Sequence, residues 1–494
     1  MNANFRLHSN YNPQKEADNF VLQIKTVPFF IVVTEPGESY LAFSFRKKFP
    51  NAKIIAIRYT DELFLEYDAL FDVVWRPKNG ALSFFLMSHI PDEFFSKTVF
   101  LSWKPSEIIW KDRAVSVWKE IKDASNLFIS LIRTRSFFGK KWCKNLFNNL
   151  IFSHKIKNFR LDGMLDSVFL TSGCSLERFI QNNDVKGFLK KVFVSSASSS
   201  LKALCNQDIH VDLVFATDGG FWAGKHLIGK YLNGKISNLA IPLEAYIPLN
   251  VLERENIVFL NYGSKLENYL FNKMNIPFLK ARRNGTVAGT AIDFLLEYTK
   301  NNIFISGLDL SFSKSFTHAR PNENINESLK KESKLFPLSS ILAFSSFNNS
   351  SLNIYASWFS SISEKNKKRL FRIGNEGVNI EGIKRISASD FISLCNVQEK
   401  LEKRESFDVP NKKEVLFSFF GEIRRKLGEN TFFESFLDID NNTVEKEICQ
   451  LITFSDYVSL IKDYETRKDE LQKTIKNKII TFLEYEENKL NELS

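Results

Sequence analysis

Between residues 165 and 310 the chain repeats one pattern: a short apolar run, a cluster of glycine, serine or aspartate, then a segment of helix length. The runs are 167–170 (SVFL), 191–194 (KVFV), 211–216 (VDLVFA), 257–260 (IVFL) and 303–306 (IFIS). Runs that are apolar throughout suit strands buried on both faces, and helix-length crossovers are what parallel neighbours require. The pattern predicts an α/β fold with a central, Rossmann-like, mostly parallel sheet. In such a sheet the clusters after the strands share the carboxyl edge, where ligands bind.

The flanks divide the rest of the chain. Residues 1–105 carry three further apolar runs, 29–34 (FFIVVT), 53–58 (KIIAIR) and 71–75 (FDVVW), and predict a smaller N-terminal α/β domain. The turn at Glu35-Pro36-Gly37-Glu38-Ser39 lacks the three-glycine dinucleotide fingerprint and reads as turn chemistry. Residues 106–164 predict a helical connector with aromatic stripes that include Trp110, Trp118, Trp142 and Phe147. The core spans 165–395. Residues 396–494 predict a C-terminal helical region, in which Leu471, Ile475, Ile479 and Leu483 form one apolar stripe.

No uninterrupted apolar run is long enough to span a bilayer. Residues 1–15 lack the apolar centre of an export signal. The five cysteines, Cys143, Cys174, Cys205, Cys395 and Cys449, are far apart and have no metal-site spacing. A cytoplasmic protein in a reducing compartment is expected. The net charge of +10 admits phosphate-bearing partners. No dense basic tract interleaved with aromatics points to nucleic acid.

Two turns have the composition of anion sites. Gly173-Cys174-Ser175 permits a tight backbone turn at a helix start, suiting either a phosphate or an ordinary helix cap. In Asn284-Gly285-Thr286, threonine can cap a helix over 287–298 and leave its positive end toward the sheet edge, with Arg282 and Arg283 adjacent. Two such turns at one edge point to a nucleotide ligand. Ser195 opens the serine cluster after the second core run. Asp218, before two glycines, suits a ribose hydroxyl, a metal or an Asx turn, and Asp309 is placed similarly. No Asp-x-Asp pair is present to bridge a metal and a diphosphate. His318 follows the polar stretch 313–317 and is the candidate general base, with His226 its competitor.

These motifs together resemble the motility-associated factor glycosyltransferases, whose core is also described as 6-hydroxymethylpterin diphosphokinase MptE-like. The resemblance spans roughly residues 25–395. It rests on 171–176 (TSGCSL), 195–204 with 209–218 (IHVDLVFATD), the ungapped block 285–310 with Thr317-His318-Ala319, 371–382 (FRIGNEGVNIEG), and 138–145 (FGKKWCKN) upstream. The sequence departs from the family pattern at Cys174 and at Gly219, both usually proline, and at Val378 and Asn379.

The resemblance implies a core similar in fold to CMP-sialic acid transferases. It implies transfer of a nonulosonic acid from CMP-nonulosonic acid to Ser or Thr hydroxyls of flagellin, with no cofactor and no catalytic metal. On this reading Gly173, Ser175, Ser195, Asp218, Asn284, Gly285 and Thr286 serve the donor. His318 and Asp309 are catalytic, and Glu376 and Gly377 lie on the acceptor side. The alternatives are an ATP-dependent pterin-type diphosphokinase and a non-catalytic flagellin-binding protein.

Overall fold

Among the described residues the β-strands form two predominantly parallel sheets. A computed structural model describes residues 6–161, 166–228, 232, 234–311, 318–337, 340, 358–359, 362–397, 405–407, 409, 411–429, 432–439 and 442–492. The expected polar loop at 313–317, Thr317 included, lies outside the described residues. The chain packs as two compact units: 1–139 with 426–442 and 449–483, and 140–425 with 443–448 and 484–494. Among the described residues no helix is long and apolar enough to cross a membrane.

In the first unit, β1 (Phe30–Thr34), β2 (Lys53–Ile57), β3 (Val73–Trp75) and β4 (Thr98–Ser102) lie in the order β3-β2-β1-β4, all parallel. β1 is buried along its whole length, which is why 29–34 stands out as an apolar run. β4 is partly exposed along its whole length and was not expected from the sequence. Ile31, Val33, Ile54 and Ala56 pack with Leu41, Phe45 and Trp103. The loop after β1 is held by Arg58, which is fully buried. Arg58 donates to Glu35 Oε1 at 3.0 Å, Gly37 O at 2.8 Å, Ser39 Oγ at 3.1 Å and Asp68 Oδ1 at 3.0 Å. These bonds hold a loop in which Glu35, Gly37 and Ser39 all have positive φ, a conformation that non-glycine residues adopt only under constraint.

The second unit carries the larger sheet. Its strands are β5 (Lys155–Asn158), β6 (Ser167–Leu170), β7 (Phe193–Ala197), β8 (Val211–Phe215), β9 (Ile236–Pro242), β10 (Asn256–Asn261), β11 (Phe278–Lys280), β12 (Ile303–Ser306), β13 (Leu370–Ile373), β14 (Lys384–Ile386) and β15 (Glu405–Phe407). Their order is β14-β13-β12-β6-β7-β8-β9-β10-β5-β15, with β11 on the later part of β10. β15 is antiparallel to β5, and the other pairs are parallel. The Val287–Tyr298 helix buries Ala291, Ile292, Phe294 and Leu295 against Phe169, Phe215, Leu260 and Ile305 on one face of the sheet.

One expectation changes here. The second core run extends to Ala197, so Ser195 is an interior strand residue rather than the start of a loop. Serine has low strand propensity, but complete burial between β6 and β8 overrides it. Of the connector expected to be helical over 106–164, a single 42-residue helix, Lys111–Phe152, forms the greater part, while Lys155–Asn158 is β5 of the larger sheet. At the C-terminus, the Tyr464–Glu492 helix buries Leu471, Ile475, Ile479 and Leu483.

Candidate functional site

From β6 the chain builds the sheet outward through β7, β8, β9 and β10, then returns along the Val287–Tyr298 helix to place β12 on the other flank of β6. The strand order therefore reverses between β6 and β12. Loops leaving two such strands diverge and open a crevice at their carboxyl ends. A cavity of about 250 Å³ lies there, lined by residues from Thr171 to Gly173, Ala197, Ser199, Thr286 to Ala288, Gly307 to Ser311, and His318.

The loop after β6 follows the β12 backbone closely. Thr171 N donates to Ser306 O at 2.9 Å and Gly173 N to Gly307 O at 2.8 Å. A Cβ at position 173 would collide with the Gly307 carbonyl, so glycine is required for this approach. Thr286 caps the Val287–Tyr298 helix, its Oγ1 accepting from Gly289 N at 2.9 Å. The first-turn amides of an α-helix have no partner within the helix. Here that positive end stands at the cavity wall, at Val287 and Ala288. Asn284 and Gly285 shape the turn without lining the cavity. Asn284 Nδ2 donates to Gly289 O at 3.2 Å, and Gly285 has φ of +71°.

Asp309 lines the cavity with its carboxylate already engaged. It accepts from Ser175 N at 2.8 Å and from Ser175 Oγ, so it caps the Ser175–Gln181 helix. Ser175 thereby spends its amide and hydroxyl on Asp309 and does not line the cavity. Asp309 is held from behind: Val378 N donates to Asp309 O at 2.8 Å, and a Cβ at Gly377 would strike that carbonyl. Glu376 points elsewhere, pairing with Arg178 at 2.8 Å. Glu376 and Gly377 thus bracket Asp309. The bracket is tied to β13 by Arg372, only 4% exposed, which donates to Leu308 O and to Glu376 O. Burial and the neighbouring Arg385 bring the Arg372 guanidinium down to about 10. Arg372 was not singled out from the sequence; the only local sign is a charged residue inside the apolar run 370–373.

We expect Asp309→Ala to destabilise the protein by about 1–3 kcal/mol, the cost of unpairing buried polar groups. Urea unfolding reads this directly, and an unchanged midpoint would remove the capping role.

The remaining candidates are dispersed. Ser195 is fully buried and donates to Val168 O at 3.1 Å. Asp218 closes an Asx turn, accepting from Gly220 N at 2.8 Å, and does not line the cavity. Arg283 is engaged by Glu244 and lies over the rings of Trp142 at 5.6 Å and Tyr262 at 5.3 Å. Arg282 faces Asp293 at 3.8 Å. Neither arginine lines the cavity.

His318 does line it, and is half-buried. Burial, with the neighbouring imidazole of His226, pushes its pKa down to about 4. His226 is itself buried and lowered by the same cause. The two histidines weighed as rivals in the sequence are therefore electrostatic neighbours. At neutral pH His318 is an uncharged imidazole in one cavity with a helix N-terminus. Its segment is fixed beside the site: Ala319 N donates to Ser172 O at 2.6 Å, and Asn322 Nδ2 to Ser199 O at 2.9 Å.

Comparison with known proteins places this arrangement among relatives. Residues 140–315 match the family model for 6-hydroxymethylpterin diphosphokinase MptE-like domains. A protein of Treponema pallidum (strain Nichols), described as uncharacterized, is 30% identical over 408 residues, spanning 81% of this chain and 88% of its own length. The structure of the Maf glycosyltransferase from Magnetospirillum magneticum AMB-1 covers 99% of this chain and 85% of its own, with a TM-score of 0.56 and 11% identity. At that identity the likeness is one of fold.

Proposed function

Because the chain belongs to the motility-associated factor family, with its MptE-like core, we propose that it transfers a nonulosonic sugar from a CMP-activated donor to Ser or Thr hydroxyls of a polypeptide. Flagellin is the expected acceptor, modified in the cytoplasm before export. The observation that carries this reading is the uncharged His318 imidazole sharing the switch-point cavity with the N-terminus of the Val287–Tyr298 helix.

The chemistry follows from those two parts. The bond from the anomeric carbon to the phosphate oxygen breaks, and CMP leaves with the electron pair. The acceptor oxygen forms the new bond from the opposite face, with inversion. Its proton passes to the His318 imidazole. Charge grows on the departing phosphate, and a fixed helix N-terminus stabilises charge of that sign. Thr286 sets that helix end, while Gly173 brings the β6 loop close. Asp309 acts by holding the loop, a positioning role.

Intact-mass measurement of flagellin co-expressed with this chain and a CMP-nonulosonate pathway tests the reading. A whole number of nonulosonate increments, seen only with the chain present, supports it. Unmodified flagellin beside soluble chain and detectable donor overturns it. Persistence of transfer in a chelator, and preference for CMP-sugar over ATP, separates it from a diphosphokinase.

A further inference from the structure

A second cavity lies at the opposite, amino edge of the larger sheet, with β7, β8, β9 and β10 between β6 and the strand it adjoins, β5. Ile151, Phe152 and His154 reach it just before β5, and Glu253 just before β10. β15 runs antiparallel to β5, so Phe407, Val409 and the start of the Lys412–Leu427 helix arrive at the same edge. The space measures about 590 Å³, against about 250 Å³ at the switch point, and the two share no lining residue. That volume is in the range of small-molecule sites.

Its floor is apolar, made by Ile151, Phe152, Phe407 and Val409, of which Phe152 and Val409 are buried. Its charges are Glu253 and Glu414, both exposed, and Lys413, half-buried. Among the described residues none of these three forms an ion pair or a side-chain hydrogen bond. Lys412 instead donates to Ser153 O at 2.6 Å, holding the helix start against the segment before β5. Opposite charges thus stand around one concave apolar floor without meeting each other.

That charge set selects the ligand. A purely apolar molecule on the floor would take water from three charges and return no partner. A plain cation would meet Lys413, and a plain anion would meet two carboxylates. A molecule with both signs on an apolar body satisfies every group. We infer that this cavity binds a small zwitterion with an apolar body, of the class of hydrophobic dipeptides. Its ammonium goes to Glu253 and Glu414, its carboxylate to Lys413, and its side chains to Phe152, Phe407 and Val409. His154 offers a ring nitrogen to the peptide group between them. A single amino acid would leave much of the 590 Å³ unfilled.

Calorimetric titration of the full chain with leucyl-phenylalanine tests this, beside the same dipeptide N-acetylated and the same dipeptide C-amidated. The free dipeptide should bind, and each blocked form about tenfold more weakly, the loss of one charge-assisted contact. Glu253→Gln/Glu414→Gln should bind the free dipeptide about tenfold more weakly and no longer distinguish it from the acetylated form. Lys413→Met should do the same with respect to the amidated form. Each variant removes charges that are unpaired among the described residues, so its melting curve should match that of the wild type. Equal affinity for all three forms overturns the proposal, as do wild-type affinities in both variants. No binding signal from the free dipeptide at millimolar concentration overturns it too.

Discussion

His318→Ala is expected to lower transfer about a hundredfold or more at neutral pH, the contribution of a positioned general base, while donor binding holds. In the free protein His318 titrates near 4 because it is buried beside His226. The acid limb of kcat/KM should therefore fall near that value. Donor phosphate entering the cavity adds negative charge beside the imidazole and raises its proton affinity. The acid limb of kcat should consequently lie at higher pH than that of kcat/KM.

Stability has a defined sign as well. The ordinary histidine value of 6.5 drops to about 4 on folding, so the unfolded chain binds more protons between those values. The stability linked to this group is fully present above 6.5 and is lost as pH falls toward 4. His318→Ala should thus be slower than wild type yet less acid-sensitive in a melting series. Wild-type turnover in His318→Ala would show that the proton goes elsewhere, and an unchanged acid sensitivity would remove the burial account.

Arg58→Met is expected to cost about 3–5 kcal/mol, the penalty for stripping the partner from a buried charge. Glu35 is 1% exposed and keeps only the Tyr59 amide at 2.8 Å once Arg58 is gone. Asp68 fares better, since Arg76 donates to it at 2.7 and 2.9 Å. The loss should therefore centre on the loop after β1. Adding Glu35→Gln should recover part of it, because the orphaned charge disappears. Hydrogen exchange across 30–60 in the full chain locates the effect, and urea unfolding gives its size. A destabilisation under 1 kcal/mol, or no recovery in the double variant, would mean that the arginine is not balancing Glu35.

Much of the fold was legible in local sequence. β6 and β12 and the Val287–Tyr298 helix fall where the apolar runs and the Thr286 cap place them. β4, β5, β9, β11, β13, β14 and β15 were missed. β5, β11, β13, β14 and β15 are only three or four residues long, β4 and β11 have no buried residue, and Ser237-Asn238 interrupt the apolar run of the buried β9, so they lack a continuous apolar signal.

The site was less legible. Among the candidates Gly173, Thr286, Asp309 and His318 meet at one cavity, whereas Ser195 and Asp218 are held apart by a strand interior and a turn. Arg58 stood only as the charged end of the run 53–58, and Arg372 carried no reading of its own; their buried partners reveal both as struts.

By itself the sequence determined where β1, β2, β6, β8, β10, β12 and the Val287–Tyr298 helix form, and that their polar ends share a sheet edge, because burial period and capping act over a few neighbouring residues. The tertiary structure alone decided that β12 returns to the flank of β6, that Asp309 spends its carboxylate on Ser175 134 positions away, and that burial, with His226 beside it, depresses His318. Those outcomes depend on crossover topology and on the energy of burying charge, both set by residues distant in the chain and adjacent only after folding.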